Sequence, residues 1–284
     1  MLLLNFGRMR SFLILLCIVF LACASCERDR NRGSQGDDLS DSSLVVSIID
    51  SLQNAEGDIG ITHPEEDGSF GEFIYRFVSE EDLQRDRIKY PLKMVKDGTV
   101  DMVPSSQWKY DPMYALQDEN TLILGSNGIP EVEDTAKSAA VVQLIDLRRK
   151  RVREYKFVKM EVWWVLYEIS ESSYAASMDS GFWDFYGNFS RDEAFQQSHV
   201  HDPFYFKTYD SDNFEEIAGW VAAEQWPAYR TYLPADTITN IIYDGKMPQS
   251  LYRTFVISSP SSGMNCSLIF KMDKGHWELV RLEN

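Results

Sequence analysis

The sequence predicts an α+β protein in which one unit, two short helices followed by an antiparallel sheet, is used twice. Three observations predict it. Phe70, Phe73, Phe77, Glu81, Gln84 and Pro91 recur without a gap as Phe182, Phe185, Phe189, Glu193, Gln196 and Pro203, each 112 positions further on. Phe157, Trp164, Leu166 and Ile169 recur as Phe270, Trp277, Leu279 and Leu282 at a displacement of 113. Gln107-Trp108 recurs as Gln225-Trp226 at 118. A displacement that drifts by a few residues is what loop insertions between retained elements produce.

The chain opens with Arg8 and Arg10 ahead of an apolar run from Phe12 to Ala22, too short to span a bilayer as a stable helix. Small residues and two cysteines, Cys23 and Cys26, follow. Residues 1–26 are therefore expected to be a sorting signal. From Glu27 to Ser43 the composition is polar and rich in Arg, Asp, Gly and Ser, which cannot offset the loss of chain entropy, and it is read as a flexible tether. Val45, Ile48, Ile49 and Leu52 then fall at helical spacing behind Asp41 and Ser42 as caps. Asn54 to Ser69, rich in Gly, Asp and Glu, is read as a loop.

Each copy continues with Phe at i, i+3 and i+7, which places three rings on one stripe of a helix. A second short helix carries Leu83 in one copy and Phe195 in the other, behind acids suited to a helix N-terminus. Pro91 and Pro203 are expected to end it. The strand-like stretches are Thr121–Leu124, Ala139–Ile145 and Tyr155–Ile169 in the first copy. In the second they are Ile238–Tyr243, Leu251–Ser258 and Ser267–Leu282. The boundary falls near Ser170–Ser180, giving a first domain over 44–170 and a second over 171–284.

Composition narrows the function classes. With 44 acidic against 28 basic residues the formal net charge is −16, which repels phosphate backbones and disfavours nucleic-acid binding. Of four cysteines, Cys266 alone lies in the folded portion, so stability must come from apolar burial rather than a disulfide.

The first residues resemble a bacterial lipoprotein signal, in which a small residue precedes a cysteine that receives a diacylglyceryl group. Cys26, after Ala24 and Ser25 and before Glu27, Arg28 and Asp29, fits that pattern best, with Cys23 after Ala22 as the alternative. An ordinary secretory signal is the remaining reading. The folded portion, with its F-x-x-F-x-x-x-F stripe, a second helix reaching Gln then Pro, and a final strand W-x-L-x-x-(I/L), resembles the nuclear-transport-factor-2-like (NTF2-like) fold. That fold is a cone of helices over a bent sheet. More narrowly, the stripe followed by Leu83-Gln-Arg-Asp-Arg-Ile-Lys-Tyr-Pro-Leu92 resembles the bacterial domain-of-unknown-function family 4348. The resemblance covers about Ser69 to Asn284 and implies two tandem cones, with any site at a cone mouth or interior. It implies no reaction and no cofactor.

Candidate site residues are few. His199 and His201 alternate on an extended segment, so both imidazoles would point the same way, but no third ligand is spaced for a metal. Gln84 and Gln196 are polar residues shared by both copies in apolar surroundings, suited either to a ligand or to backbone groups at a helix-to-strand junction. Trp108 and Trp226 are shared aromatics, whereas Trp163, Trp183 and Trp220 are unshared. Exposed Trp and Tyr would stack on sugar rings or hold a peptide. Arg148-Arg-Lys-Arg151 is read as a solvated hairpin turn, with contact to an acidic partner or a membrane periphery as the alternative. Nucleophile-elbow, zinc-protease, phosphate-loop and paired-cysteine motifs are all lacking. The expectation is a lipid-anchored envelope module, non-enzymatic, binding a small molecule, glycan or protein partner. The alternative is an isomerase, dehydratase or hydrolase using a cone-pocket acid or His as general base.

Overall fold

The computed structural model describes residues 46–50, 66–125, 137–210, 212–213, 215–244, 250–259 and 263–284. The signal with Cys23 and Cys26, the tether, and most of the loop before Ser69 lie outside the described residues. Residues 46–50 are helical, and Ile49 packs against Ala139 and Val158.

The first copy comprises α1 (Phe70–Ser79), α2 (Glu81–Asp86), β1 (Ile88–Lys96), β2 (Thr99–Val103), β3 (Asn120–Leu124), β4 (Ala139–Asp146), β5 (Arg151–Met160) and β6 (Trp163–Ser173). The second comprises α3 (Ser180–Phe189), α4 (Glu193–Ser198), β7 (Val200–Asp210), β8 (Glu215–Val221), a short α5 (Trp226–Tyr229), β9 (Thr237–Tyr243), β10 (Tyr252–Ser259), β11 (Met264–Asp273) and β12 (His276–Glu283). α1 starts because Ser69 and Glu72 form a reciprocal capping box. α4 starts because the Asp192 carboxylate accepts from the N–H groups of Ala194 and Phe195.

The Phe stripes do what their spacing requires. Phe70, Phe73 and Phe77 surround Phe157 at centroid distances of 5.3, 5.8 and 5.2 Å, all edge-on. Phe182, Phe185 and Phe189 surround Phe270 at 5.6, 5.4 and 5.2 Å. Phe70 meets Trp164 at 4.9 Å, and Phe182 meets Trp277 at 5.1 Å. Burying each ring is worth about 2–3 kcal/mol, so the stripe is the principal fastener of helix to sheet.

Two sheets result, with strand orders β2-β1-β6-β5-β4-β9 and β3-β10-β11-β12-β7-β8. Pairing is antiparallel except for one parallel pair in each, β1 with β6 and β7 with β12. The registers repeat: Tyr155 opposes Ile169 as Leu268 opposes Leu282, and the irregularity between Lys156 and Phe157 returns between Ile269 and Phe270. Asp97-Gly98 and Lys274-Gly275, all at positive φ, turn β1 into β2 and β11 into β12. The stretches Tyr155–Ile169 and Ser267–Leu282 are thus each divided by a turn, at Glu161-Val162 and Lys274-Gly275.

Pro91 and Pro203 do not end the helices. α2 stops at Asp86 and α4 at Ser198, and both prolines lie inside strands, each after a cis peptide bond. They are tolerated because the ladder skips them on both sides. β1 pairs with β6 at Ile88 and again from Lys93, and with β2 from Leu92; β7 pairs with β12 at Val200 and again from Tyr205, and with β8 from Phe204.

The main departure from a sequential reading is an exchange of strands. β3, from the first copy, completes the second sheet against β10, while β9, from the second copy, completes the first against β4. The exchanged strands cross at Thr121 and Thr239, which are 118 positions apart like the two Gln-Trp pairs. Each threonine N–H donates to the other's hydroxyl, at 2.8 and 2.7 Å, and each hydroxyl donates to the other's carbonyl, at 2.8 and 2.6 Å. The cores interlock accordingly. Ile123, Ile145, Leu147 and Val152 of the first copy are buried in the second core, and Tyr243 of the second is buried in the first.

Candidate functional site

The interior of each cone is the first place to look for chemistry, and its polar residues are committed to the fold. In the first cone Gln84 is fully buried where α2 meets β1. Its amide donates to the Phe77 carbonyl at 3.2 Å and the Asp111 carbonyl at 2.7 Å, and its oxygen accepts from the Asp111 N–H at 2.9 Å. The Asp111 carboxylate in turn accepts from the Tyr155 hydroxyl at 2.7 Å and from Arg153 at 3.1 Å. Burial, reinforced by the Asp111 charge against the opposing pull of Arg153, pushes the Tyr155 phenol far above its ordinary value. This network bolts the segment around Trp108, Met113 and Tyr114 across the mouth of the cone, where those residues pack on the core.

The second junction meets the same need differently. Gln196 accepts from the indole N–H of buried Trp226 at 3.0 Å. Trp108, the counterpart of Trp226, is half-buried and its Nε1 has no partner.

Both cones also hold a buried aspartate, Asp67 and Asp179, 112 positions apart. Asp67 pairs with Arg87 at 3.4 Å and accepts the Trp164 N–H at 2.8 Å. Asp179 takes Nε and Nη2 of Arg253, the latter at 2.7 Å. On the opposite, outer face of the first sheet, Glu168 lies between Lys93 at 2.6 Å and Lys156 at 2.7 Å. Burial alone would raise its carboxyl, but the two ammonium groups outweigh that and hold it below the ordinary carboxylate range.

The two imidazoles, expected to point the same way, have different partners. His199 stacks on Phe195 at 3.8 Å, and its Nδ1 lies 2.8 Å from the Phe195 carbonyl. His201 is exposed and reaches Glu278 at 3.0 Å. Among the described residues no group of three or more His, Cys, Asp or Glu is placed to hold a metal ion. Cys266 is buried, which pushes its thiol up to about 12 against a smaller opposing hydrogen bond from Thr231. The basic run is a β4–β5 turn whose cations are paired: Arg148 with Asp236, Arg149 with Asp146, Lys150 with Asp184, and Arg151 with Asp97 and Glu171.

Of the unshared tryptophans, Trp183 is buried and Trp163 half-buried, whereas Trp220 on β8 is 68 % exposed. It stands opposite Tyr205 of β7, the rings edge-on at 5.3 Å, and Arg281 of β12 stacks on Tyr205 at 4.9 Å. Tyr205 and Arg281 were not legible as surface residues in the sequence. Phe204-Tyr-Phe-Lys-Thr-Tyr209 is aromatic on both of its alternating faces, and only the packing of Phe204 into the core and of Phe206 against its margin says which face is inside.

Two curved, mainly antiparallel sheets, each with a pair of helices laid on its inner face by a phenylalanine stripe, define an α+β protein of the NTF2-like class. Within that class the chain belongs to the DUF4348 family, a domain of unknown function, whose model matches residues 54–284. A solved structure of an NTF2-like protein from Bacteroides fragilis NCTC 9343 is similar at 28 % identity, covering 76 % of this chain and 95 % of that one with a TM-score of 0.66. No curated protein matches the chain.

Proposed function

We propose that this protein is a lipid-anchored, non-enzymatic binding module of a bacterial envelope. One observation carries the non-enzymatic part. The buried acids and amides of the cones, where a general base would have to stand, are used up in internal pairs: Asp67 with Arg87, Asp179 with Arg253, Asp111 with Tyr155 and Arg153, Gln84 with the Asp111 backbone, Gln196 with Trp226. In each cone the phenylalanine stripe packs edge-on against Phe157 or Phe270. A general base works from an apolar cavity with its lone pair aimed at substrate, and these groups are aimed at each other. Gln84, Gln196 and Trp226 therefore act on ligands at most indirectly, through the packing of the helix-to-strand junctions. Binding is assigned instead to outer surfaces.

The anchoring part rests on the sequence pattern around Cys26. Acyl chains on Cys26 are the proposed means of attachment. Mass spectrometry of the protein from native membranes should show a diacylglyceryl-modified N-terminus at Cys26; an unmodified start at another residue refutes the anchor. For binding, a thermal-shift screen against envelope sugars, peptides and lipids should raise the midpoint with at least one class. Turnover of any substrate, in an activity that co-purifies with the chain through successive columns, would overturn the non-enzymatic reading, and its loss in His201→Ala would place the chemistry on that imidazole.

A further inference from the structure

The outer face of β7 and β8 is built unlike its counterpart in the first copy. In the first copy Lys93 of β1 faces Met102 of β2 and is ion-paired with Glu168 of β6. At the equivalent registers the second copy has Tyr205, Trp220 and Arg281. An ion pair with a buried glutamate has given way to edge-on aromatic rings beside an arginine, with a tryptophan left open at the end.

The surroundings of Trp220 form a strip. Along β7, Tyr205, Lys207 and Tyr209 share this face, since alternate residues of a strand do. Tyr205 and Tyr209 are therefore about 13 Å apart at ~3.3 Å per residue, and Tyr209 is 58 % exposed. Opposite them on β8 stand Trp220, Ala218 and Glu216. Ala218 leaves a low point between the tryptophan at one end and Tyr209 at the other. Every cation on the strip has an acid on the strip: Lys207 with Glu216 at 2.6 Å, and Arg281 with Glu283. The strip thus offers flat ring faces and hydrogen-bonding groups with no net charge.

We propose that this strip binds an uncharged oligosaccharide, with Trp220 as the stacking platform and Tyr209 as a second contact further along the chain. The inference rests on the binding-module reading and names its site and ligand class. Sugar rings present flat C–H faces that lie on an indole, and hydroxyls that both donate and accept, which is what paired Lys–Glu and Arg–Glu groups can exchange. Charge complementarity selects against the other occupants. An anionic lipid surface would need free cations, and the strip has none while the chain carries −16 overall. Two open rings separated by an ion pair and an alanine are also a poor apolar core for a protein partner, which needs a contiguous desolvated centre.

The test uses the purified full chain in mild detergent with five neutral probes: maltohexaose, cellohexaose, xylohexaose, mannohexaose and N-acetylchitohexaose. At least one should bind by calorimetry. Trp220→Ala should lower its association constant about tenfold or more, Trp220→Phe should retain part of it, and Met102→Ala at the equivalent place in the first copy should change nothing. Trp220 is exposed, so the thermal midpoint of Trp220→Ala should match the parent and exclude a folding defect. No binding by any of the five, or undiminished binding by Trp220→Ala, overturns the proposal. Trp220-dependent binding of anionic phospholipid vesicles or of peptides, without saccharide binding, overturns the ligand class and leaves the binding-module reading standing; no stabilisation by any class in the wider screen removes both.

Discussion

The two halves of the molecule hold a buried aspartate at the same place but bring its arginine from different directions. Asp67 is met by Arg87, at the end of α2, and Asp179 by Arg253, on β10. The register makes the exchange explicit: the counterpart of Arg87 is His199, and the counterpart of Arg253 is Ala140. A buried carboxylate without a partner is costly, so the cation is obligatory in both copies while its position is free. The same lesson holds for Gln84 and Gln196, which stand at one position and bond a backbone in one copy and an indole in the other. The interior positions of these cones are fixed by neutralisation and hydrogen bonding; the outer faces, where Lys93 and Glu168 have become Tyr205 and Arg281, are free to diverge.

The comparison treats the halves as siblings, and the strand exchange says they are not independent. The largest expected effect comes from cutting between them. Residues 1–173 and 174–284 expressed apart keep β6 whole, and each lacks the last strand of one sheet and exposes β4 or β10 as an open edge. Neither should unfold cooperatively, a loss of all the folding free energy, of order 5–15 kcal/mol, whereas mixing them should restore a cooperative transition seen by circular dichroism. Two fragments that fold well alone would show that the exchanged strands are ornamental.

Next in size are the buried pairs. Arg253→Ala and Arg87→Ala should each cost about 3–5 kcal/mol in urea unfolding, because an uncompensated carboxylate is left inside. Arg87→His with Ala140→Arg rebuilds the second copy's arrangement in the first. If the position of the cation is free, that double variant is more stable than Arg87→His alone, with a coupling of about 1 kcal/mol or more. Strictly additive effects would mean that the two arrangements are not interchangeable.

How much of this was legible in the sequence follows from which forces act locally. The Phe stripes and the W-x-L strands announce themselves because helix and strand periodicity is a local property, and their partners Phe157 and Phe270 follow from burial alone. The Asp97-Gly98 hairpin was equally local and marks β1 and β2, a signal that the strand-like runs around it were too charged to reinforce. Sheet membership is not local: Thr121–Leu124 reads as a strand from its composition, but that it pairs with Val256 rather than Val142 is decided by chain crossing, to which periodicity is blind. For the same reason the exposure of Trp220 and the burial of Trp183 could not be separated from residue type alone.

The shared glutamines give a smaller effect with a definite order. Gln84→Ala removes three hydrogen bonds and leaves both the N–H and the C=O of Asp111 without their partner, costing about 2–3 kcal/mol, while Gln196→Ala strands one indole N–H and costs about 1 kcal/mol. Equal losses, measured by chemical denaturation, would break the claim that the junctions use this residue differently.

The smallest effect sharpens the contrast between the outer faces, and it is read through pH. Glu168 has a folded-state pKa below its ordinary value of 4.5, since Lys156 and Lys93 outweigh the cost of burial. A depressed carboxyl contributes stability that is complete above the unfolded pKa and is lost as pH falls through the folded value. Glu168→Gln should therefore destabilise the protein at pH 6 and cost less at pH 3, where the parent has begun to lose the same contribution. Urea midpoints at pH 6 and pH 3 decide it: a Glu168→Gln deficit undiminished at pH 3 would mean that the carboxylate's charge is not what stabilises the first sheet, and that the contrast with the aromatic face of the second is one of shape alone.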